Sequence, residues 1–405
     1  MTANGHFRTT LFLMLMLLMG TAGCSSYSGN KYAAAADRSS SSTLLMTEAS
    51  KGNSKYVRIL LSDGVDPNAT GIDLQTVRLI ERYLNKEEAA NLLLGEDESW
   101  APFKDSNMTA IMAATSGGNS DVVRSLLRMR ANPNAKTTQG FTALTLAALA
   151  RNTSIVYILL DGGAKVNTRT RGGATALMIA ALNNDLHMAE ILLQRGADPD
   201  TAARNGWTSL LLAVRDNKME MAGLLLDGGA NPNARDMEES ALLLTAVREG
   251  KNDLTLLLLD HNADPNIRDK NGQTPLLAAV AAGNADVAKL LLEKGADPNL
   301  AAKDGSSPLL MAIGEDKTEI ARLLLNANAD PNARNKNGQT PLMAAASVGN
   351  AEAVKMLLDR GANATARNKA GLTALAIAKA EGNAKPPLVQ LLEQAEAAEL
   401  EQPKE

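Results

Sequence analysis

Residues 271–299 read NGQTPLLAAVAAGNADVAKLLLEKGADPN, and this stretch decides the fold. Thr274 suits a helix N-cap and Pro275 the first helical position, where a missing N–H costs nothing. The spacing therefore predicts a short helix from Pro275. A turn follows at Gly283-Asn284, then a second helix carrying Leu291 and Leu292 and closing at Gly295. The Asp-Pro-Asn that ends the stretch leads through a further turn to the next threonine position.

The unit repeats. Asp/Asn-Pro-Asn recurs with its proline at Pro67, Pro133, Pro232, Pro265, Pro298 and Pro331, all separated by multiples of 33. Stepping by 33 from Leu291 meets leucine each time, at Leu60, Leu93, Leu126, Leu159, Leu192, Leu225, Leu258, Leu324 and Leu357. The column beside it, Leu61 to Leu358, is also leucine throughout. At the position of Gly283 stand Gly52, Asn85, Gly118, Arg151, Asn184, Asn217, Gly250, Asp316, Gly349 and Gly382. All but Arg151 tolerate the left-handed backbone that a tight turn between antiparallel helices requires. Second helices end likewise at glycine or asparagine, with Asp97 and Arg130 as misfits. No such helix pair buries its leucine face alone, so neighbours must stack and share one core.

Here the sequence resembles the ankyrin repeat, whose pattern is Gly-x-Thr-Pro-Leu-His-x-Ala, a glycine turn, and a Leu-Leu helix ending in Gly-Ala. The resemblance covers residues 43 to about 392. It implies an all-α solenoid of about eleven helix-turn-helix units joined by short finger turns, with an arc on the order of 100 Å. The family's histidine is replaced by Met178, Leu277, Leu310 or Met343. The expected domains are a repeat at 43–69, a degenerate repeat at 70–105 that keeps Leu93 and Leu94, repeats over 106–372, and a capping repeat with an acidic tail at 373–405.

The first residues carry a different message. Met1 to Arg8 is a polar start with one cation, Leu11 to Met19 an apolar run, and Thr21-Ala22-Gly23 leads into Cys24, the single cysteine. Nine apolar residues are too few to span a membrane as a helix, so residues 1–23 read as a signal peptide. The small residues before Cys24 resemble the lipobox of bacterial lipoproteins, with Thr21 where that family usually has leucine. The resemblance implies cleavage before Cys24 and a lipid on its sulfur. Plain secretion and an uncleaved anchor are the alternatives. Ser25 after the cysteine implies the outer membrane, with the body in the periplasm. Residues 24–42, rich in serine and alanine, read as a tether.

The formal net charge of −4 and the lack of a Lys/Arg-rich run argue against nucleic acid. Beyond the signal peptide the only histidines are His187 and His261, in unrelated positions of the unit, which suggests no catalytic pair. Asp269-Lys-Asn-Gly272 lacks the later glutamate of a calcium loop, and Gly162-Gly163 and Gly228-Gly229 follow helices instead of opening them, unlike phosphate cradles. No enzyme activity, cofactor or metal is expected, and the chain is expected to act as a monomer.

Function then lies in the surface, and the resemblance implies that a partner protein is held on the concave side by fingers and first helices. The residue before each threonine position reads Ser42, Gln75, Met108, Phe141, Ala174, Trp207, Ser240, Gln273, Ser306, Gln339 and Leu372. Exposed aromatics there would anchor an interface. The expected patch is Met108, Phe141 and Trp207, with Trp100 and Phe103 in the degenerate repeat and Leu149, Leu182 and Arg215 by analogy with the family. The role expected is an envelope scaffold. The alternatives are an immunity-type inhibitor of a secreted toxic enzyme, and a small-ligand or enzymatic site in the degenerate repeat.

Overall fold

The computed structural model describes residues 38–71, 107–235, 241–380 and 386–401. Helix α1 (Arg38–Ser50) pairs with α2 (Ser54–Ser62), and strand β1 (Thr70–Gly71) follows. Strand β2 (Met108–Thr109) then leads into α3 (Ala110–Ser116) and α4 (Ser120–Arg128). The next pairs are α5 (Ala143–Leu149) with α6 (Thr153–Asp161), α7 (Ala176–Leu182) with α8 (Leu186–Gln194), and α9 (Ser209–Arg215) with α10 (Met219–Asp227). Beyond them come α11 (Leu242–Arg248) with α12 (Asn252–Asp260), α13 (Pro275–Ala282) with α14 (Ala285–Glu293), and α15 (Pro308–Gly314) with α16 (Thr318–Asn326). The stack ends with α17 (Pro341–Val348), α18 (Ala351–Leu358), α19 (Ala374–Ala380) and α20 (Pro386–Glu401). The fold is an all-α solenoid of stacked pairs, and the described leucines of the Leu291 column are buried in one continuous core.

Local chemistry builds each pair. The hydroxyls of Thr142, Thr175, Thr208, Thr274, Ser307 and Thr340 each accept the N–H three residues on, closing the first turn of a first helix. Left-handed backbone closes the turns where expected, and Arg151 (φ 55°) and Arg130 (φ 66°) adopt it as well. The residues that replace the family's histidine, Met178, Leu277, Leu310 and Met343, are buried.

Side chains tie layer to layer. The Asn134 carboxamide accepts the Lys165 N–H at 2.7 Å and donates to the Gly163 carbonyl at 3.0 Å. Asn167, Asn266, Asn299 and Asn332 repeat both bonds, giving an asparagine ladder along the stack. Finger backbones join too, with the N–H of Arg171, Arg204, Lys336 and Lys369 donating to the preceding finger. Gly305 stands at one such approach, with φ +83° and its absent Cβ 3.0 Å from the Lys336 nitrogen. On the far side the Lys218, Lys251 and Lys317 ammonium groups each donate to two carbonyls at the C-terminus of the preceding first helix. The helix dipole favours a cation there.

One expected boundary needs correction. Of the stretch 24–42 expected as a tether, the residues from Arg38 on belong to α1. Packing of Leu45, Met46 and Ala49 carries this helix, although its serines favour it little. The described pairs on either side of the expected degenerate repeat, 70–105, are in contact with each other. Helix α1 packs directly on α3. Thr70 pairs with Thr109 across the antiparallel β1–β2 bridge, and Asn119 donates to the carbonyls of Ala49 and Ser50 at 2.9 and 2.7 Å. Asn68 accepts the Asn132 N–H, a partner 64 residues on where the ladder elsewhere uses 31. Residues 72–106, and with them nearly all of the expected degenerate repeat, lie outside the described residues, and ten pairs form the described stack.

One seam interrupts the regularity. Ala241 occupies a threonine position and gives α11 no side-chain cap, and α9 and α11 meet more sparsely than other neighbouring first helices. Ala241 already has the extended backbone of a cap, φ −78° and ψ 142°. Ala241→Thr should therefore stabilise the protein by about 1 kcal/mol, measured as a rise in the urea midpoint.

Candidate protein-binding face

The finger side is lined by the ends of first helices and the bases of the fingers. At the base of one finger the Ala203 N–H donates to the Trp207 carbonyl at 2.8 Å and Gly206 turns with φ +73°, which sets the indole direction. Trp207 is half-buried against the core. The guanidinium carbon of Arg215, at the last turn of α9, lies 4.9 Å from the centroid of its ring. Such a cation–π contact is worth on the order of 0.5–1 kcal/mol at an exposed site.

The arginine is held from several directions. Its Nε lies 3.0 Å from Asp216 Oδ1, and Asp216 Oδ2 lies 2.6 Å from Lys218 Nζ. Lys218 also donates to the Leu182 carbonyl at 3.0 Å, and Lys251 to the Arg215 carbonyl at 3.2 Å. Burial raises the Asp216 carboxyl, but hydrogen bonds and charge from Lys218 and Arg215 outweigh it and hold it below the usual carboxylate range. Asp216 is thus ionised near neutral pH and fixes both cations. Half-buried Leu182 is tied to the group through its carbonyl, which accepts from Lys218, while Arg215 and Trp207 are in direct contact.

Three other expected contacts are corrected. Phe141, Met108 and Leu149 are buried, Phe141 to 0% exposure. Phe141 occupies the column of Trp207, but its wholly apolar ring enters the core shared between layers, whereas the indole stops half-way with Arg215 over its face. Met108 lies in β2 opposite Gly71. Leu149 joins the buried face of α5. Trp100, Phe103 and Cys24 lie outside the described residues.

The sequence reading missed Arg248, one repeat beyond Arg215. Its Nη2 reaches Asp269 Oδ2 at 2.6 Å and also donates to Gln273 Oε1. Burial raises the Asp269 carboxyl, but the Arg248 hydrogen bond and the N–H groups of Gln273 and Asn271 outweigh it and keep it below its ordinary value. The 33-residue step from Arg215 was the available signal. His187 and His261 lie apart, in α8 and after α12, facing Glu190 at 4.0 Å and Asp227 at 3.8 Å.

A family model of ankyrin repeats in three copies matches residues 79–170, 165–236 and 243–335, and one of ankyrin repeats in many copies matches residues 323–378. The chain belongs to the ankyrin-repeat family. No curated protein matches it. The matched ranges leave a gap between 236 and 243, the same place as the sparse seam. They also include 79–106, so that stretch keeps an ankyrin sequence signature even though the described pairs on either side of it pack together. Ankyrin repeats indicate a protein–protein interaction scaffold, and the ordered cluster on the finger side suits that role.

Proposed function

We propose that this ankyrin-repeat chain is a non-enzymatic, protein-binding scaffold of the bacterial cell envelope, anchored by a lipid on Cys24 and holding its partner on the finger side around Trp207. The Trp207–Arg215 stack carries the reading. An aromatic ring left half-exposed and braced by a fixed guanidinium is already in its bound arrangement, so little rotamer freedom is lost on docking. Asp216 and Lys218 supply a charged rim beside it. The envelope assignment rests on the order of polar start, apolar run, small residues and Cys24. Among the described residues no helix is long and apolar enough to cross a membrane.

The test is a pull-down with the chain from the native envelope fraction. Trp207→Ala should weaken the captured partner at least about tenfold while the circular dichroism melt stays cooperative. Capture unaffected by this change removes the patch from the reading. In parallel, Cys24→Ser should abolish labelling with radioactive palmitate and release the protein from the membrane fraction. Persistent labelling would refute the anchor.

A further inference from the structure

We infer that the tips of the four fingers at residues 268–272, 301–305, 334–338 and 367–371 form a lysine row that binds an acidic, extended segment of a partner protein, with carboxylates at every third residue. This rests on the protein-binding reading above and names the chemistry of one partner segment.

Lys270, Lys303, Lys336 and Lys369 hold the same place in four successive fingers, 33 residues apart. Arg268, Arg334 and Arg367 stand two residues before three of them, and all seven side chains are exposed. The backbone fixes the order of the row. Lys336 N–H donates to the Asp304 carbonyl at 3.1 Å and Lys369 N–H to the Asn337 carbonyl at 3.0 Å. The absent Cβ of Gly272 would sit 3.5 Å from the Lys303 nitrogen.

These charges stand largely uncompensated. None of the seven forms an ion pair with a carboxylate among the described residues. Arg334 and Arg367 donate to the carbonyls of Gly338 and Gly371, which are neutral. The two carboxylates of these fingers are already committed. Asp269 faces Arg248, and Asp304 accepts the N–H and hydroxyl of Ser306 at 2.9 and 3.0 Å, with Lys336 of the next finger the one row member whose charge it feels. A chain with net charge −4 has therefore gathered a positive ridge on its finger tips. It escapes a search for contiguous basic runs because its members are one repeat apart.

Spacing selects the occupant. Neighbouring layers stand about 10 Å apart, so the row offers one lysine per about 10 Å. Nucleic acid carries a phosphate every ~3.4 Å along each strand, far denser than this row. A polypeptide in the polyproline II form rises about 3.1 Å per residue with three residues per turn, which places every third side chain on one side at about the layer spacing. Four acidic residues so placed meet four lysines over a segment of about twelve residues.

The experiment uses the full chain and fluorescence anisotropy with a synthetic peptide of four Glu-Pro-Pro units. A peptide of the same composition with its glutamates contiguous and a twelve-nucleotide oligothymidylate serve as competitors. The periodic peptide should bind best, weaken as salt rises, and lose about tenfold or more in affinity when Lys270, Lys303, Lys336 and Lys369 are all changed to Gln. The exposed positions should leave the thermal melt unchanged. Equal binding of the two peptides, tighter binding of the oligonucleotide, or undiminished binding by the quadruple variant overturns the inference. Failure here with capture through Trp207 intact leaves the proposed function standing, and loss of that capture with peptide binding intact does the reverse.

Discussion

Phe141→Ala should destabilise the protein by about 3–5 kcal/mol, read from the urea midpoint, and lower the population of folded protein available to any partner. The ring is wholly buried in the shared core. Its backbone is pinned, with the Thr137 N–H donating to the Phe141 carbonyl at 2.9 Å and the Phe141 N–H to the Thr137 hydroxyl at 3.1 Å. The finger base therefore cannot collapse freely into the space the ring leaves, and an unfilled cavity adds to the lost transfer energy. Trp207→Ala, in the same column, should cost much less stability and act on binding. A Phe141→Ala protein of unchanged stability but weakened capture would place the ring on the surface after all.

Deleting residues 386–405 should remove roughly 3–6 kcal/mol, the burial of two leucines at about 1.5–3 kcal/mol each. Leu388 and Leu392 are fully buried, and α20 packs on both α18 and α19. The Glu399 carboxylate also accepts the N–H groups of Ala364 and Thr365 at 2.7 and 3.1 Å, closing the last turn beyond the end of the asparagine ladder. Without α20 the last layer exposes its inner side, and in a one-dimensional array that loss falls on the neighbouring interfaces. Hydrogen exchange should then accelerate first in residues 341–380. The exposed Lys379–Glu393 pair, 2.8 Å apart with both side chains about half exposed, should matter little to this result. Uniform exchange along the whole stack would contradict a capping role.

The leucine columns, threonine caps and turn positions were legible because each repeats a local requirement along the stack. Even the misfits obey. Arg130 and Arg151 take left-handed backbone at a cost of about 1–2 kcal/mol each, because the layers on both sides dictate the turn. What one repeat's sequence does not carry is the relation between layers. Phe141 and Trp207 share a column, yet what covers each depends on the side chains beside it, among them Arg215 over the indole. Leu93 and Leu94 keep the periodicity in residues outside the described ones, while Asn68 and Asn119 bond the described pairs on either side to each other.

The seam at Ala241 has a mechanical meaning. Elsewhere a pull along the stack is shared among close helix contacts, finger backbone bonds and paired asparagine bonds, all acting in parallel. Between α9 and α11 the helix contacts are sparse, which leaves polar links such as the Asp264 N–H to the Asn233 amide oxygen to carry the load. Compliance therefore concentrates at one joint, and two stiff half-springs, one bearing Trp207 and the other the lysine row, can change their mutual angle while each keeps its own shape.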